Sequence, residues 1–514
     1  MKRVLDVRMR DGVLLSTSVE TPSSDGPWPV LVARTPYSKE GMAKALSVLT
    51  HKGYAVVVQD VRGTGASGGI FSFLRDELAD AADTGQWILE HPFCNGDIGL
   101  IGISYLGGAS VGLAYSFPKN VKAAVWVEPV LSSQSILADQ RVMQLHHNLP
   151  WAALGHPRFK DLDWHSLYRY LPLRDALRSA GIDSSLWDEI CSYVMGESAA
   201  PDLTGAFDTL RVPGLHFGGF WDFMVEASLS AYKMACRPAG APQTMFLGPW
   251  SHNGMAGEVT SNEYADYGEE ASSAFARRAA QWFDHHLKGS DLPKDLSTPV
   301  AVYLPGEGWR RSASWPDPAV TNLDLYLGDC TLNPEIPRSG CSKFCYDPAD
   351  PVPTEGGALW EFPRAGLNPG PAVVTTGMRP DVPVFESTEL STQIIAMGPA
   401  EVVLYAETGA AATDLTAKLI DVDARGTPRI VGDAISRVLG PGLIEVRLEI
   451  PAIGHIFEKG HRIRLDIASS NFPKFDRNLN TGVSDLVSTE MKIAHQVVRF
   501  GVAAPSRLRL SVIS

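Results

Sequence analysis

The sequence predicts an α/β protein: an open, mostly parallel sheet, a helical insertion within it, and an all-β region after it. Three observations carry this prediction. Unbroken apolar runs such as Tyr54-Ala55-Val56-Val57-Val58-Gln59-Asp60 recur between helix-length segments early in the chain, and strands buried on both faces read this way. From about residue 128 to 208 the aromatic residues Trp151, Trp164, Tyr168, Tyr170 and Trp187 sit among helix-like stretches. Beyond about Pro299, short apolar runs alternate with Gly, Pro and Asn, the spacing of a β-sandwich or jelly roll.

In chain order, Val13 to Val19 and Pro29 to Arg34 read as strands, and Met42 to Lys52 as a helix. The strand Tyr54 to Asp60 follows, then a helix from Glu77 to Leu89 and the strand Ile98 to Ile103. After a further helix, Val121 to Val127 is again an apolar strand. The insertion opens with a helical pattern over Ser135 to His147. The sheet resumes at Val212 to Phe217 and Thr244 to Leu247, and a long amphipathic helix spans Ala271 to Leu287. The later strands are Val300 to Tyr303, Leu323 to Leu327, Ala400 to Ala406, Thr416 to Asp421, Leu443 to Leu448 and Arg462 to Ala468. These divide the chain into 1–127 with 209–298, an insertion 128–208, and 299–514.

Composition narrows the function classes. The 514 residues carry 45 basic and 58 acidic side chains, a net charge of −13. An acidic chain lacks the surface that phosphate backbones require, which argues against nucleic acid as a partner. Six cysteines show no C-x-x-C pair, so free thiols in a reducing cytosol are expected. The N-terminus MKRVLDVRMRDG has no apolar signal core. The uncharged run between Asp97 and Lys119 is broken by five glycines and three serines, unsuited to a membrane span. A soluble cytoplasmic protein is expected, with no membrane partner; a homo-oligomer is compatible with the sequence. The loop Arg62 to Gly69 lacks a Gly-Lys-Ser/Thr ending and precedes an acidic helix, which argues against nucleotide binding.

The chemistry gathers at strand ends. Ile98-Gly99-Leu100-Ile101-Gly102-Ile103-Ser104-Tyr105-Leu106-Gly107-Gly108 runs from an apolar strand through a serine into a helix. Such a turn exposes a hydroxyl and sets it beside a helix N-terminus. The general G-x-S-x-G pattern is not kept, because Leu106 stands at the last glycine position and Gly107 follows it. A serine nucleophile needs a base, and His252 lies in a loop directly after Thr244 to Leu247. Asp222, in the loop after Val212 to Phe217, supplies the carboxylate that orients a base. The chain order Ser104, Asp222, His252 is that of an α/β-hydrolase sheet. Asp60 also ends a strand but precedes the serine, and reads as structural support for the Arg62 loop.

Taken together, these segments resemble the cocaine esterase / X-prolyl dipeptidyl-peptidase hydrolases, the CocE/NonD group of S15-type serine hydrolases. The matching stretches are Arg34-Thr35-Pro36-Tyr37, Asp60 to Gly65, Gly102 to Gly107, Trp221-Asp222, Gly248 to His252, Phe283 to Gly289 and Ser469 to Asn478. In that group the glycine of the serine motif stands at the Gly107 position, so the departure becomes support. The resemblance implies an α/β-hydrolase domain, a helical cap and a C-terminal jelly roll. It also implies catalysis by Ser104, His252 and Asp222, with an oxyanion hole formed by the Tyr105 backbone N–H and the Tyr37 hydroxyl.

The expected reaction is two-step ester hydrolysis through an acyl-enzyme. The partner is then a small-molecule ester or amide substrate. No cofactor is required, and no metal-ligand spacing is evident. Trp151, Phe223 and Met224 are the candidate substrate-binding residues, whereas Trp126 reads as core. The alternative is an amidase or acylase of the same group: an X-prolyl aminopeptidase, a β-lactam acylase or an α-amino acid ester hydrolase. An aminopeptidase needs a carboxylate cluster for the substrate ammonium, for which the insertion offers Asp139, Asp161, Asp163 and Asp175.

Overall fold

The computed structural model describes residues 1–24, 26–132, 142–238, 240–362 and 365–513. Its first sheet contains β1 (Lys2–Arg8), β2 (Leu14–Glu20), β3 (Trp28–Thr35), β4 (Ala55–Asp60), β5 (Cys94–Ile103), β6 (Val121–Val127), β7 (Gly214–Gly219), β8 (Gln243–Gly248), β9 (Val300–Leu304) and β10 (Gly308–Ser312). The spatial order is β1-β2-β4-β3-β5-β6-β7-β8-β9-β10. The strands from β4 through β9 pair in parallel, while β1, β2 and β10 pair antiparallel at the margins.

The apolar runs are explained by two cores, one on each face. In β3 and β4, Leu31, Ala33, Val56 and Val58 face a core shared with α1 (Lys39–Thr50) and, later in the chain, α11 (Phe275–Lys288). Their neighbours Val30, Val32, Ala55 and Val57 face the opposite core. That core is shared with α2 (Glu77–Glu90), α3 (Tyr105–Ser116) and α9 (Val225–Ala235). Alternating side chains therefore both meet apolar partners, and no polar alternation is needed. Trp126 is 2% exposed and packs edge-on against Phe207 at 5.2 Å, a core residue as expected.

The insertion carries α4 (Leu145–Ala152), α5 (Trp164–Arg169), α6 (Ala176–Ser179), α7 (Ser185–Met195) and α8 (Thr204–Asp208). Residues 133–141, including most of the expected Ser135 to His147 helix, lie outside the described residues; Val142 to Gln144 are not helical, and α4 starts at Leu145. A short helix α10 (His252–Ala256) follows β8. The helix expected from Ala271 begins at Phe275 instead, because Ala274 adopts a left-handed φ of 44° that separates it from the preceding turn.

Val300 to Tyr303, expected to open the β-rich region, instead extends the first sheet. Strand β9 pairs in parallel with β8 and folds back on β10. The first sheet thus runs past residue 298, because a local apolar pattern cannot specify which sheet a strand joins.

The remaining strands are β11 (Thr321–Leu327), β12 (Leu332–Asn333), β13 (Gly340–Tyr346), β14 (Val384–Glu386), β15 (Ile394–Thr408), β16 (Ala412–Val422), β17 (Pro428–Leu439), β18 (Gly442–Phe457), β19 (Arg462–Ala468), β20 (Ala494–Phe500) and β21 (Arg507–Ile513). They form a seven-stranded and a four-stranded sheet, the latter ordered β14-β19-β16-β17. Residues of both, such as Val402, Leu404 and Leu510 with Ala417, Leu419 and Leu465, share one apolar core.

The β-rich region also holds the cap. Phe472 and Leu486 enter the cap core beside Trp151, Trp164 and Trp187. The Lys474 carbonyl accepts from His146 N–H at 3.3 Å, and Asp476 accepts from Met143 N–H at 2.9 Å. The segment Ser469 to Asn478 therefore fixes the approach to α4, which carries His147 and Trp151.

Candidate active site

The carboxyl ends of β3, β5, β6, β7 and β8 lie side by side in the sheet, and each leads into a polar residue of interest. Ser104 forms the sharp turn between β5 and α3, with φ 54° and ψ −125°. A non-glycine residue in this region is strained, and such strain persists where surrounding structure holds it. Here Ser104 N–H donates to the Val127 carbonyl at 2.7 Å, and its carbonyl accepts from Gly107 N–H at 2.9 Å and Val130 N–H at 3.0 Å.

The displaced glycine now has a physical reason. A Cβ on Gly107 would lie 2.5 Å from Pro129 Cβ, and one on Gly102 would lie 2.7 Å from Gly107 Cα. Helix α3 leans on the chain leaving β6 at Gly107, while Leu106 is 2% exposed and fills the core. Gly107→Ala is expected to destabilise the fold by about 1–3 kcal/mol through overpacking. A urea unfolding midpoint equal to wild type would show that Pro129 yields freely.

Tyr105 follows Ser104 as the first residue of α3, so its backbone N–H has no helical acceptor. Its side chain is an anchor. The hydroxyl donates to Glu77 at 2.9 Å and accepts from Leu74 N–H at 3.1 Å. Glu77 is in turn paired with buried Arg34 at 2.6 Å, and Arg34 also bonds Gln59 and the Ala109 carbonyl. Arg34 of the Arg-Thr-Pro-Tyr stretch thus ties β3, α2 and α3 together beneath the site. Tyr37, two residues beyond the end of β3, is 45% exposed as a whole residue. Its hydroxyl turns inward beside the Trp151 and Ser104 side chains; burial of that oxygen raises its pKa, and these two neighbours oppose the rise.

Asp222 and His252 are brought together by crossing loops. Phe220 N–H bonds the Gly248 carbonyl at 2.9 Å, and Trp221 N–H bonds the Trp250 carbonyl at 3.0 Å. Gly219 permits this approach, since a Cβ there would lie 2.2 Å from the Trp250 carbonyl oxygen. Asp222 is fully buried, accepting from Met224 N–H at Oδ1 and from His252 Nδ1 at Oδ2, both at 2.8 Å. A carboxylate acceptor places the proton on Nδ1 and leaves Nε2 free as a base. Burial lowers the proton affinity of His252, but Asp222, with Glu361 assisting, outweighs it and holds the pKa above the ordinary 6.5.

An aromatic wall joins the two halves of the site. Trp151 stacks on His147 at 5.7 Å, His147 lies 4.3 Å from Phe223, and Phe223 lies 5.0 Å from His252. Trp360, from the β-rich region, closes on His147 at 5.2 Å. Burial pushes the His147 pKa down to about 3, with His252 adding to the effect, so this wall is uncharged at neutral pH. Of the expected binding residues, Trp151 and Phe223 line this wall. Met224 gives Asp222 its backbone N–H, while its side chain packs in the cap core.

The carboxylates considered for an ammonium group are engaged elsewhere. Asp163 caps α5 through Ser166 N–H at 3.2 Å, Asp175 pairs with Arg178 at 3.5 Å, and Asp161 is exposed on a short turn; Asp139 lies outside the described residues. Asp60 is structural, accepting from Lys39 and Ala66 backbone N–H at 2.7 and 3.1 Å. Sequence reading missed Trp360, Glu128 and Glu361. Glu361 binds Asn253 beside His252, at 2.9 Å from the backbone N–H and 3.2 Å from Nδ2. Among the described residues, no three His, Cys, Asp or Glu side chains gather in a metal-binding group. No helix among them is long and apolar enough to cross a membrane.

This sheet order, with a strained serine elbow and a buried Asp–His pair at neighbouring strand ends, defines an α/β hydrolase. The sequence profile of the X-Pro dipeptidyl-peptidase (S15 family) matches residues 11–254, and that of the X-Pro dipeptidyl-peptidase C-terminal non-catalytic domain matches residues 294–509. The cocaine esterase of Rhodococcus sp. (strain MB1 Bresler) is 30% identical over 573 residues, covering 99% of this chain and 97% of the relative. Among solved structures, an α-amino acid ester hydrolase superposes with a TM-score of 0.83 at 25% identity, covering 100% of this chain and 96% of that one. An aminopeptidase from the marine sediment archaeon Thaumarchaeota archaeon shares the fold, with a TM-score of 0.87 at 23% identity and coverage of 100% and 96%. The chain belongs to the CocE/NonD-like S15 hydrolases and is a hydrolytic enzyme.

Proposed function

We propose that the protein is a serine esterase that cleaves carboxylic esters carrying a bulky apolar group, through an acyl-enzyme on Ser104. The supporting observation is the combination of the Asp222–His252 pair with an uncharged aromatic wall running from Trp151 to Phe223. In the proposed reaction His252 Nε2 takes the Ser104 proton as Oγ attacks the ester carbonyl. The Tyr105 N–H and Tyr37 hydroxyl donate to the tetrahedral oxyanion. His252 then gives its proton to the departing alcohol, and a water molecule enters by the same route to release the acid. Asp222 holds the imidazole tautomer and stabilises the imidazolium throughout.

An ester is favoured over a peptide with a free amino terminus, because among the described residues Asp161, Asp163 and Asp175 are turned to other partners or to solvent and do not converge on Ser104. The test compares short aryl esters with matched aminoacyl and prolyl anilides. Turnover dominated by aryl esters, rising with an aromatic acyl group, is the expected result; dominant anilide turnover would overturn the reading. Tyr37→Phe removes one oxyanion donor and should lower kcat by about 10²–10³-fold. Full kcat in that variant would remove Tyr37 from the oxyanion hole.

A further inference from the structure

Glu128 lies at the end of β6, between the strand that presents Ser104 and the strand that presents Asp222. It is fully buried and holds a left-handed φ of 46°, a strained conformation for a residue with a side chain. Its backbone N–H donates to Ser228 Oγ at 2.9 Å, and the Ser228 hydroxyl spends its own proton on the Phe217 carbonyl. Glu128 Oε1 accepts from Gly219 N–H at 3.0 Å, in the same turn that carries Asp222. Its Oε2 is buried without a hydrogen-bond partner; the Ser228 hydroxyl beside the carboxyl favours its charged form, but burial and Asp222 outweigh it.

Beside it stands the carboxyl group of Asp222, across Gly219, where a Cβ would lie 3.4 Å from Asp222 Cβ. Two buried carboxyl groups side by side cannot both be ionised. Asp222 is the one furnished for charge, because His252 Nδ1–H and Met224 N–H both donate to it. Among the described residues no lysine or arginine pairs with either group. Burial, and then the Asp222 charge, raise the Glu128 carboxyl well above its ordinary pKa. A proton on Oε2 removes the unpaired oxygen and gives Asp222 a further donor.

We propose that Glu128, holding its proton on Oε2, is a positioning residue that donates a hydrogen bond to Asp222 and so fixes that carboxylate and tempers its basicity toward His252. The positioning role rests on the esterase reading above; the proton's location does not. The groups facing His252 are Asp222, Glu361 and His147, and Asp222 is the charged group facing Glu128. Losing the donor leaves Asp222 a stronger base, which raises the proton affinity of His252.

The test is the His252 titration in the full-length chain, followed by carbon NMR of ring-labelled histidine and assigned with a His252→Asn control. Glu128→Gln exchanges a neutral acid for a neutral amide donor and should leave the midpoint at its wild-type position. Glu128→Leu should move it up by about one pH unit, a tenfold change in proton affinity. A midpoint that falls by a unit or more in Glu128→Gln would show that Glu128 is ionised and overturn the proposal; an unmoved midpoint in Glu128→Leu would do the same. Should the leucine variant not fold, infrared difference spectra of wild type against Glu128→Gln decide the matter. A carboxylic-acid carbonyl band at neutral pH, absent from the glutamine variant, is expected, and its absence from wild type contradicts the proposal. Neither readout requires turnover, so an inactive wild type with the expected midpoints would count against the esterase reading alone.

Discussion

Ser104→Ala is expected to lower ester kcat by at least about 10⁴-fold, the scale at which a serine nucleophile separates from its residual site. The substitution removes one oxygen from a residue 9% exposed. The elbow itself should survive, since Ser104 is held through its backbone by Val127, Gly107 and Val130. Unfolding by urea should therefore match wild type while turnover disappears. The variant also separates mechanisms: if Tyr37 and Tyr105 alone polarised the ester for attack by water, most of kcat would remain. Substantial turnover by Ser104→Ala would end the nucleophile assignment.

Asp222→Asn should cost about 10⁴-fold in kcat, because an amide no longer enforces the Nδ1–H tautomer or stabilises the imidazolium. A pH profile gives this variant a second signature. In the proposed mechanism His252 must be neutral to accept the Ser104 proton, so kcat/KM should fall as pH drops through its pKa. Asp222 holds that pKa above the ordinary 6.5 against the effect of burial. The wild-type acid limb should therefore lie above the ordinary histidine value. With the charge removed, burial acts nearly alone, and the limb of Asp222→Asn should move to lower pH even as its plateau collapses. A limb that stays in place would mean that Asp222 does not set the protonation of His252.

Much of this arrangement was legible in the sequence because the relevant residues follow apolar strands. Strand ends on a parallel sheet lie along one edge, so Ser104, Asp222 and His252 could be placed there without knowing any contact. The spacing around Ser104 was legible as a departure, and its cause, the seating of Gly107 on Pro129, needed coordinates. Glu128 ends a strand by the same rule, yet nothing local distinguishes a buried, protonated carboxyl from a solvated one. Trp360 and Glu361 come from the long segment between β13 and β14, where no periodicity predicts a path. His147 lies mid-helix, where sequence places it at most on a pocket wall; its neutrality follows from packing between Trp151 and Phe223. Strand β1 was missed because Lys2, Arg3, Asp6 and Arg8 give it the polarity of an exposed margin. Strand β9 was assigned to the wrong sheet because β8, its partner, is fixed only by the fold.

The most direct test of the central claim is covalent capture of the nucleophile in the intact, folded protein. An aryl fluorophosphonate should add one label per chain, located by peptide mass spectrometry on the segment containing Ser104 and absent from Ser104→Ala. Prior incubation with a slowly turned-over aromatic ester should protect that serine by forming the acyl-enzyme. A label on another residue, or an unlabelled protein that still hydrolyses aryl esters, would contradict the account.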